Sequence, residues 1–167
     1  MLMHHNDFSL HIYSEADWVG DVNDQASTIG YLLFIGRNPV SWSSKKQRMI
    51  ARSSIEAEYR AVASVLAETN WVTNLLAKLT PKFQKVPTIY CDNVGATYLC
   101  ANPIFHNRMK HIVVDFHFVR NQVQLKQVQV FHIQSAYQLA DTLTKSLSKS
   151  AFERHMFKLG VVAHCLP

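Results

Sequence analysis

The chain has little of what would mark it as secreted, membrane-spanning or disordered. Its three cysteines, Cys91, Cys100 and Cys165, form no CxxC pair and leave an odd count, so neither a disulfide framework nor a zinc ribbon is indicated and a reducing compartment is expected. Five glycines, five prolines and no low-complexity tract among 167 residues argue against disorder. No apolar run reaches membrane-spanning length, and Met1–Asp7 lacks the charged and apolar regions of a signal peptide, so a soluble, intracellular protein with no membrane partner is expected. Nine histidines show neither His-Glu-x-x-His nor paired Cys/His spacing. His106, His111 and His117 are therefore read as solvated or satisfied side chains, and His132 as structural.

Basic residues are scarce at the start. Residues 1–44 carry five acids, Asp7, Glu15, Asp17, Asp21 and Asp24, against one base, Arg37, and the remainder of the chain stands at +9. An acidic start before a basic body suits a site that holds cations within a surface that holds an anionic polymer, although a solvated basic surface without a partner has the same composition.

The length fits one domain with a real core. His11 to Asp17 reads as a strand, and residues two apart on it, Glu15 and Asp17, share a face. Turn chemistry from Trp18 to Thr28, the β-rich run Gly30–Gly36, the Arg37-Asn38-Pro39 turn and Val40–Ser43 complete a three-stranded meander. Ser53-Ser54-Ile55-Glu56 has capping-box spacing, and apolar residues from Ala57 to Leu79 recur at helical intervals. Thr88–Cys91 is a strand ending at Asp92, followed by a short helix, Val94 to Ala101. A helix from Ile112 to Leu125, a fifth strand Gln129–Ile133, a helix from Tyr137 to Lys145 and a last helix from Ser150 to Leu159 follow. Trp42, Trp71 and the phenylalanines are expected in the core. The expected architecture is α/β, a five-stranded mixed sheet with helices on both faces.

Four carboxylates stand out against this pattern. Glu15 and Asp92 lie at strand ends, Glu58 lies one turn inside the long helix, and Asp141 lies on the helix that starts near Tyr137. Acids gathered at one sheet edge resist ionisation unless a cation neutralises them, which points to a carboxylate-bound Mg²⁺ site for phosphodiester hydrolysis. Glu56 is read as a cap, and Asp21 and Asp24 as turn residues.

Several ordered blocks resemble the ribonuclease H domain of copia-type retrotransposon (retrovirus-related) Pol polyproteins. They are Tyr-Ser-Glu-Ala-Asp-Trp-Val-Gly-Asp (13–21), Ser-Thr-Ile-Gly-Tyr-Leu-Leu-Phe-Ile-Gly (27–36), Val-Ser-Trp-Ser-Ser-Lys-Lys-Gln (40–47), Ser-Ser-Ile-Glu-Ala-Glu-Tyr-Arg-Ala (53–61), Ile-Tyr-Cys-Asp-Asn (89–93), His-Asn-Arg-Met-Lys-His-Ile (106–112) and Gln-Leu-Ala-Asp-Thr-Leu-Thr-Lys (138–145). The resemblance sets the expected boundaries: a lead-in over 1–12, a ribonuclease H-like domain over 13–161 and a tail over 162–167.

The resemblance implies a three-layer αβα fold and endonucleolytic cleavage of the RNA strand of an RNA/DNA hybrid. It also implies two Mg²⁺ (or Mn²⁺) ions held by Glu15, Glu58, Asp92 and Asp141, and an upstream reverse transcriptase domain in a full-length element. Lys45, Lys46, Arg48, Arg108 and Lys110 are the candidate phosphate contacts. The family has Asp where this chain has Glu15. One extra methylene moves a carboxylate by roughly an ångström, against the roughly 0.5 Å placement that catalytic constellations need. The alternative is therefore a weakened or inactive nucleic-acid-binding remnant, with Asp17 as a possible auxiliary ligand.

Overall fold

A computed structural model describes residues 9–20, 26–79, 85–102 and 112–161 of the chain. Asp21, Asp24, His106, Arg108, Lys110, His111 and Cys165, together with most of the expected lead-in and all of the expected tail, lie outside the described residues. The meander forms as expected: β1 (Leu10–Asp17), β2 (Thr28–Ile35) and β3 (Asn38–Lys46) pair antiparallel in order. On the other side of β1, β4 (Thr88–Cys91) pairs parallel to it, and β5 (Gln129–His132) pairs parallel to β4. The sheet order is β3-β2-β1-β4-β5, which makes β1 the central strand and the carboxyl ends of β1 and β4 neighbours.

Alternation along β1 divides the molecule. Leu10, Ile12 and Ala16 point to the face covered by α1 (Ser54–Leu79), α2 (Val94–Ala101) and α3 (Val113–Gln124). On that face Leu10, Ile12, Leu33, Val62, Leu66, Ile89 and Phe116 form the main core. Tyr13, with Leu32 and Phe34 of β2, faces the opposite side, where a smaller cluster gathers Leu139, Leu143 and Leu159. These come from the segment carrying α4 (Asp141–Thr144) and from the end of α5 (Lys149–Lys158). Helices therefore lie on both faces of a five-stranded mixed sheet, as the alternation of strands and helices requires.

At the start of α1 the Glu56 N–H donates to Ser53 Oγ (3.2 Å), one half of the expected capping box. The Glu56 carboxylate reaches one residue further back than the box requires, accepting from the Arg52 N–H (3.0 Å), and pairs with Arg60 at 2.7 Å. Ala57 and Ala61 then pack with Ala16. Their small side chains let this end of α1 lie close to the end of β1.

Two expectations fail. Trp42 and Trp71 are not core residues, being 64% and 61% exposed, and Phe131, Phe152 and Phe157 are exposed as well: Trp42 sits on the edge strand β3, Trp71 on the solvent side of α1, Phe131 on the edge strand β5, and Phe152 and Phe157 on α5. The continuous helix from Tyr137 to Lys145 is two short pieces, a 3-10 turn at Ser135–Tyr137 and the four-residue α4. Gln138 causes the break. Its buried side chain donates to Ser14 O (2.9 Å) and accepts from the Ala140 N–H (3.3 Å), tying the chain to the end of β1 where helical backbone bonds would otherwise continue.

Candidate active site

Burial of apolar strands brings the acids together. Glu15 is the penultimate acid of β1 and points to the α4 side, where Thr144 Oγ1 donates to its Oε2 and Lys145 Nζ stands 3.4 Å from its Oε1. Asp141 begins α4 and pairs with the same Lys145 Nζ at 2.9 Å. From the other face Glu58 of α1 reaches the edge of β1. The Ala16 N–H donates to its Oε1 (3.2 Å) and the Cys91 thiol to its Oε2 (3.5 Å). Asp92 follows β4 directly and is half-buried, and its charge acts on Glu15, Glu58 and Asp141 alike. Strand ends flanking a parallel pair are where open α/β sheets gather functional groups.

The electrostatics are those of crowded carboxylates. Burial raises Glu15 to about 7, with repulsion from Asp141 and Asp92 added and the bonds from Thr144 and Lys145 opposing. Burial raises Glu58 to about 8, helped by Glu15 and Asp92 and opposed by its bonds to Ala16 and Cys91. Asp141 is raised by burial and held back by Lys145. Burial alone would lower Lys145, but Asp141 and Glu15 outweigh it and hold the ammonium above its ordinary value.

Two glycines make the approach possible. A Cβ on Gly30, opposite Glu15 in the β1–β2 register, would lie 2.6 Å from Thr144 Cγ2 and 3.2 Å from Ala140 O. Only a residue without a Cβ lets α4 settle this close to β2. A Cβ on Gly95 would lie 2.7 Å from Ile55 Cδ1, so the start of α2 and the start of α1 also meet tightly beside Asp92.

The other candidates are placed as follows. Asp17 shares the strand face of Glu15, but its carboxylate folds against Gly20, where a Cβ would overlap it. Lys45 and Lys46 end β3, in register through Ile29 and Thr28 with Ala16 and Asp17 of β1. Two strand spacings, roughly 10 Å, thus separate exposed basic residues from the acidic strand end. Arg48 is exposed just beyond them. His132 is exposed at the end of β5, its Nε2 3.2 Å from Asp92 O.

Thr144, Lys145, Cys91 and Gln138 were given no role by sequence reasoning. A signal was present for Lys145, which stands four residues after Asp141, the spacing at which helical ion pairs form. Cys91 adjoins Asp92, but nothing in the sequence shows that its thiol meets Glu58.

Glu15, Glu58 and Asp141, whose proton affinity is raised, form with Asp92 an all-oxygen donor set of the hard type that Mg²⁺ and Mn²⁺ prefer, and their excess negative charge is what a divalent ion would relieve. As they stand, no three His, Cys, Asp or Glu side chains among the described residues are arranged to hold an ion. Glu15 and Asp141 turn to Lys145, while Glu58 turns to Ala16 and Cys91. No helix among the described residues is long and apolar enough to cross a membrane.

This topology, with acids at the junction of β1, β4, α1 and α4, is the ribonuclease H-like fold. The LC11 ribonuclease H1 isolated from compost superimposes with a TM-score of 0.61 at 15% identity, covering 89% of this chain and 99% of that one. The same enzyme in complex with an RNA/DNA hybrid gives 0.58 at 14% identity, covering 81% and 94%. The prototype foamy virus protease-reverse transcriptase gives 0.53 at 13% identity, covering 96% of this chain and 21% of that one.

In sequence, the chain is 56% identical over 156 residues to the retrovirus-related Pol polyprotein from transposon RE1 of Arabidopsis thaliana, covering 93% of this chain and 11% of the relative. It is 36% identical over 141 residues to the corresponding polyprotein from transposon TNT 1-94 of Nicotiana tabacum, covering 84% and 10%. No family model matches. The chain is thus related to one stretch of copia-type retrotransposon Pol polyproteins, spans about a tenth of their length, and has the ribonuclease H fold.

Proposed function

We propose that the chain is a metal-dependent endoribonuclease that hydrolyses the RNA strand of RNA/DNA hybrids. Glu15, Glu58, Asp92 and Asp141 would hold two Mg²⁺ or Mn²⁺ ions. The observation that carries this is the convergence of four carboxylates, from both faces of the sheet, on the carboxyl ends of β1 and β4. When bound, divalent ions supply an activated water and neutralise charge at the leaving oxygen.

The chain's own groups do the positioning. Ala16 N–H and the Cys91 thiol orient Glu58, Thr144 and Lys145 orient Glu15, and His132 braces the backbone at Asp92. Lys45, Lys46 and Arg48, with Arg108 and Lys110, would bind phosphates without reading sequence. The 2′-hydroxyls would distinguish the RNA strand. An upstream reverse transcriptase in a full-length element would be the natural source of the hybrid.

One observation favours a second proposal, a weakened or silent nucleic-acid-binding remnant: both oxygens of Glu15 are engaged by the end of α4. Cleavage of a labelled RNA/DNA hybrid in Mg²⁺ and in Mn²⁺ separates the two. A working nuclease loses roughly 10²–10³-fold of its rate in Asp92→Asn, the range seen when one charge-stabilising group is removed. Silence in the parent with cleavage restored by Glu15→Asp indicates a scaffold disabled at one ligand. Silence in both, with retained hybrid binding, favours the remnant.

A further inference from the structure

The segment that delivers Asp141 also delivers a cation. Lys145 follows α4 by one residue, and its Nζ lies between Asp141 Oδ1 (2.9 Å) and Glu15 Oε1 (3.4 Å). The neighbouring Thr144 hydroxyl takes the second oxygen of Glu15. These contacts depend on the close seat of α4 at Gly30 and on the bond from Ser44 Oγ to Leu143 O (2.6 Å), which ties α4 to β3 as well. The lysine side chain is 35% exposed, whereas the Glu15 and Asp141 side chains are 3% and 8% exposed. The ammonium therefore has a solvent side to move into, and the carboxylates do not.

We propose that Lys145 is a resident counter-cation, holding Glu15 and Asp141 together in the metal-free protein and competing with a divalent ion for them. This rests on the metal-site function proposed above and adds a positioning residue to it. The physical reason is local charge. Two buried carboxylates at one strand end repel each other, and a tethered ammonium provides the neutralisation that the acids otherwise lack. The same positive charge, a few ångströms from both acids, weakens their attraction for a second cation. The longer side chain at Glu15 fits this arrangement, since it reaches the end of α4 and is gripped there at both oxygens. Lys145 then lowers metal affinity while raising metal-free stability. A residue with only a packing role would not move these two quantities in opposite directions.

The test is calorimetric titration of the intact chain with Mn²⁺ and with Mg²⁺, paired with thermal melting in chelator, for the parent, Lys145→Met and Lys145→Arg. Lys145→Met is expected to melt a few degrees lower in chelator and to bind Mn²⁺ about tenfold more tightly at low ionic strength, a tenfold change being the effect of one pKa unit of differential charge interaction. Lys145→Arg keeps the charge and should stay near the parent in both. Binding by the parent that is unchanged or weaker in Lys145→Met overturns the counter-cation and leaves the metal-site function standing. No binding by any of the three overturns both. Should Lys145→Met fail to fold, Glu15→Gln combined with it removes the orphaned charge. Recovery of a folded protein in the double variant supports the proposal, and failure there overturns it.

Discussion

The two faces of the sheet hold their acids by different means. On the α1 face, Glu58 stands on a 26-residue helix whose buried Val62, Val65, Leu66 and Val72 are locked into the main core and whose Ala57 and Ala61 pack with Ala16. On the opposite face, Asp141 stands on a four-residue helix with a small cluster beneath it, and its partner Glu15 is fixed by polar contacts with Thr144 and Lys145. One half of the site inherits its geometry from hydrophobic packing. The other half depends on a glycine, a buried glutamine and a lysine. Apolar burial scales with area and is insensitive to the charge state of the site, whereas the polar clamp exists only while its charges do. Changes to ligand charge should therefore register first at α4.

Breaking the packed face should cost most. Leu66→Ala, at a fully buried position of the main core, is expected to destabilise by about 2–5 kcal/mol. Leu143→Ala, at a half-buried position packed against the smaller cluster of the other face, should cost only about 1 kcal/mol. Denaturant melts of the two variants measure the comparison directly, and equal losses would remove it.

A smaller, more local effect is expected at the glycine. Gly30→Ala places a methyl against Thr144 and the Ala140 carbonyl, an overpacking that should cost about 1–3 kcal/mol. Hydrogen exchange should quicken at the α4 amides and stay unchanged in the middle of α1. Uniform quickening across both would mean that α4 is not an independent seat.

The smallest effect concerns pH. Glu15 and Glu58, raised by burial to about 7 and about 8, keep protons in the folded protein at pH values where the unfolded chain has lost them. The folded state then binds more protons than the unfolded one, so metal-free stability should fall as pH rises from about 4.5 to about 8. His155, lowered by burial from 6.5, acts in the opposite sense below about 6.5 and offsets part of the fall there. Melting in chelator should drop by a few degrees across the window, and Glu58→Gln should flatten the drop. A flat profile in the parent would show that Glu15 and Glu58 are not held protonated.

The elements resting on periodicity were legible in the sequence. The meander, the long helix and its Ser53 cap, β4 leading into Asp92, and the two-sided α/β architecture all follow from runs whose spacing leaves few alternatives. The break at Gln138 was not legible, because the residues from Tyr137 to Lys145 suit a helix and only a bond to Ser14, 124 residues away in the chain, stops them. Trp42 and Trp71 misled for a related reason. Large aromatics are usually buried, but an edge strand and the outer side of a long helix have nothing to bury them against.

Sequence by itself determined which residues could be ligands, because carboxylates at strand ends and helix starts are a local pattern, and it determined the family through ordered motifs. Tertiary structure alone decided how those ligands are held. Lys145 meets Glu15, Cys91 meets Glu58, and Gly30 admits α4 only after the chain closes contacts of 130, 33 and 114 residues' separation. Charge pairing and steric fit act over a few ångströms, and no linear pattern records which distant residues will come that close.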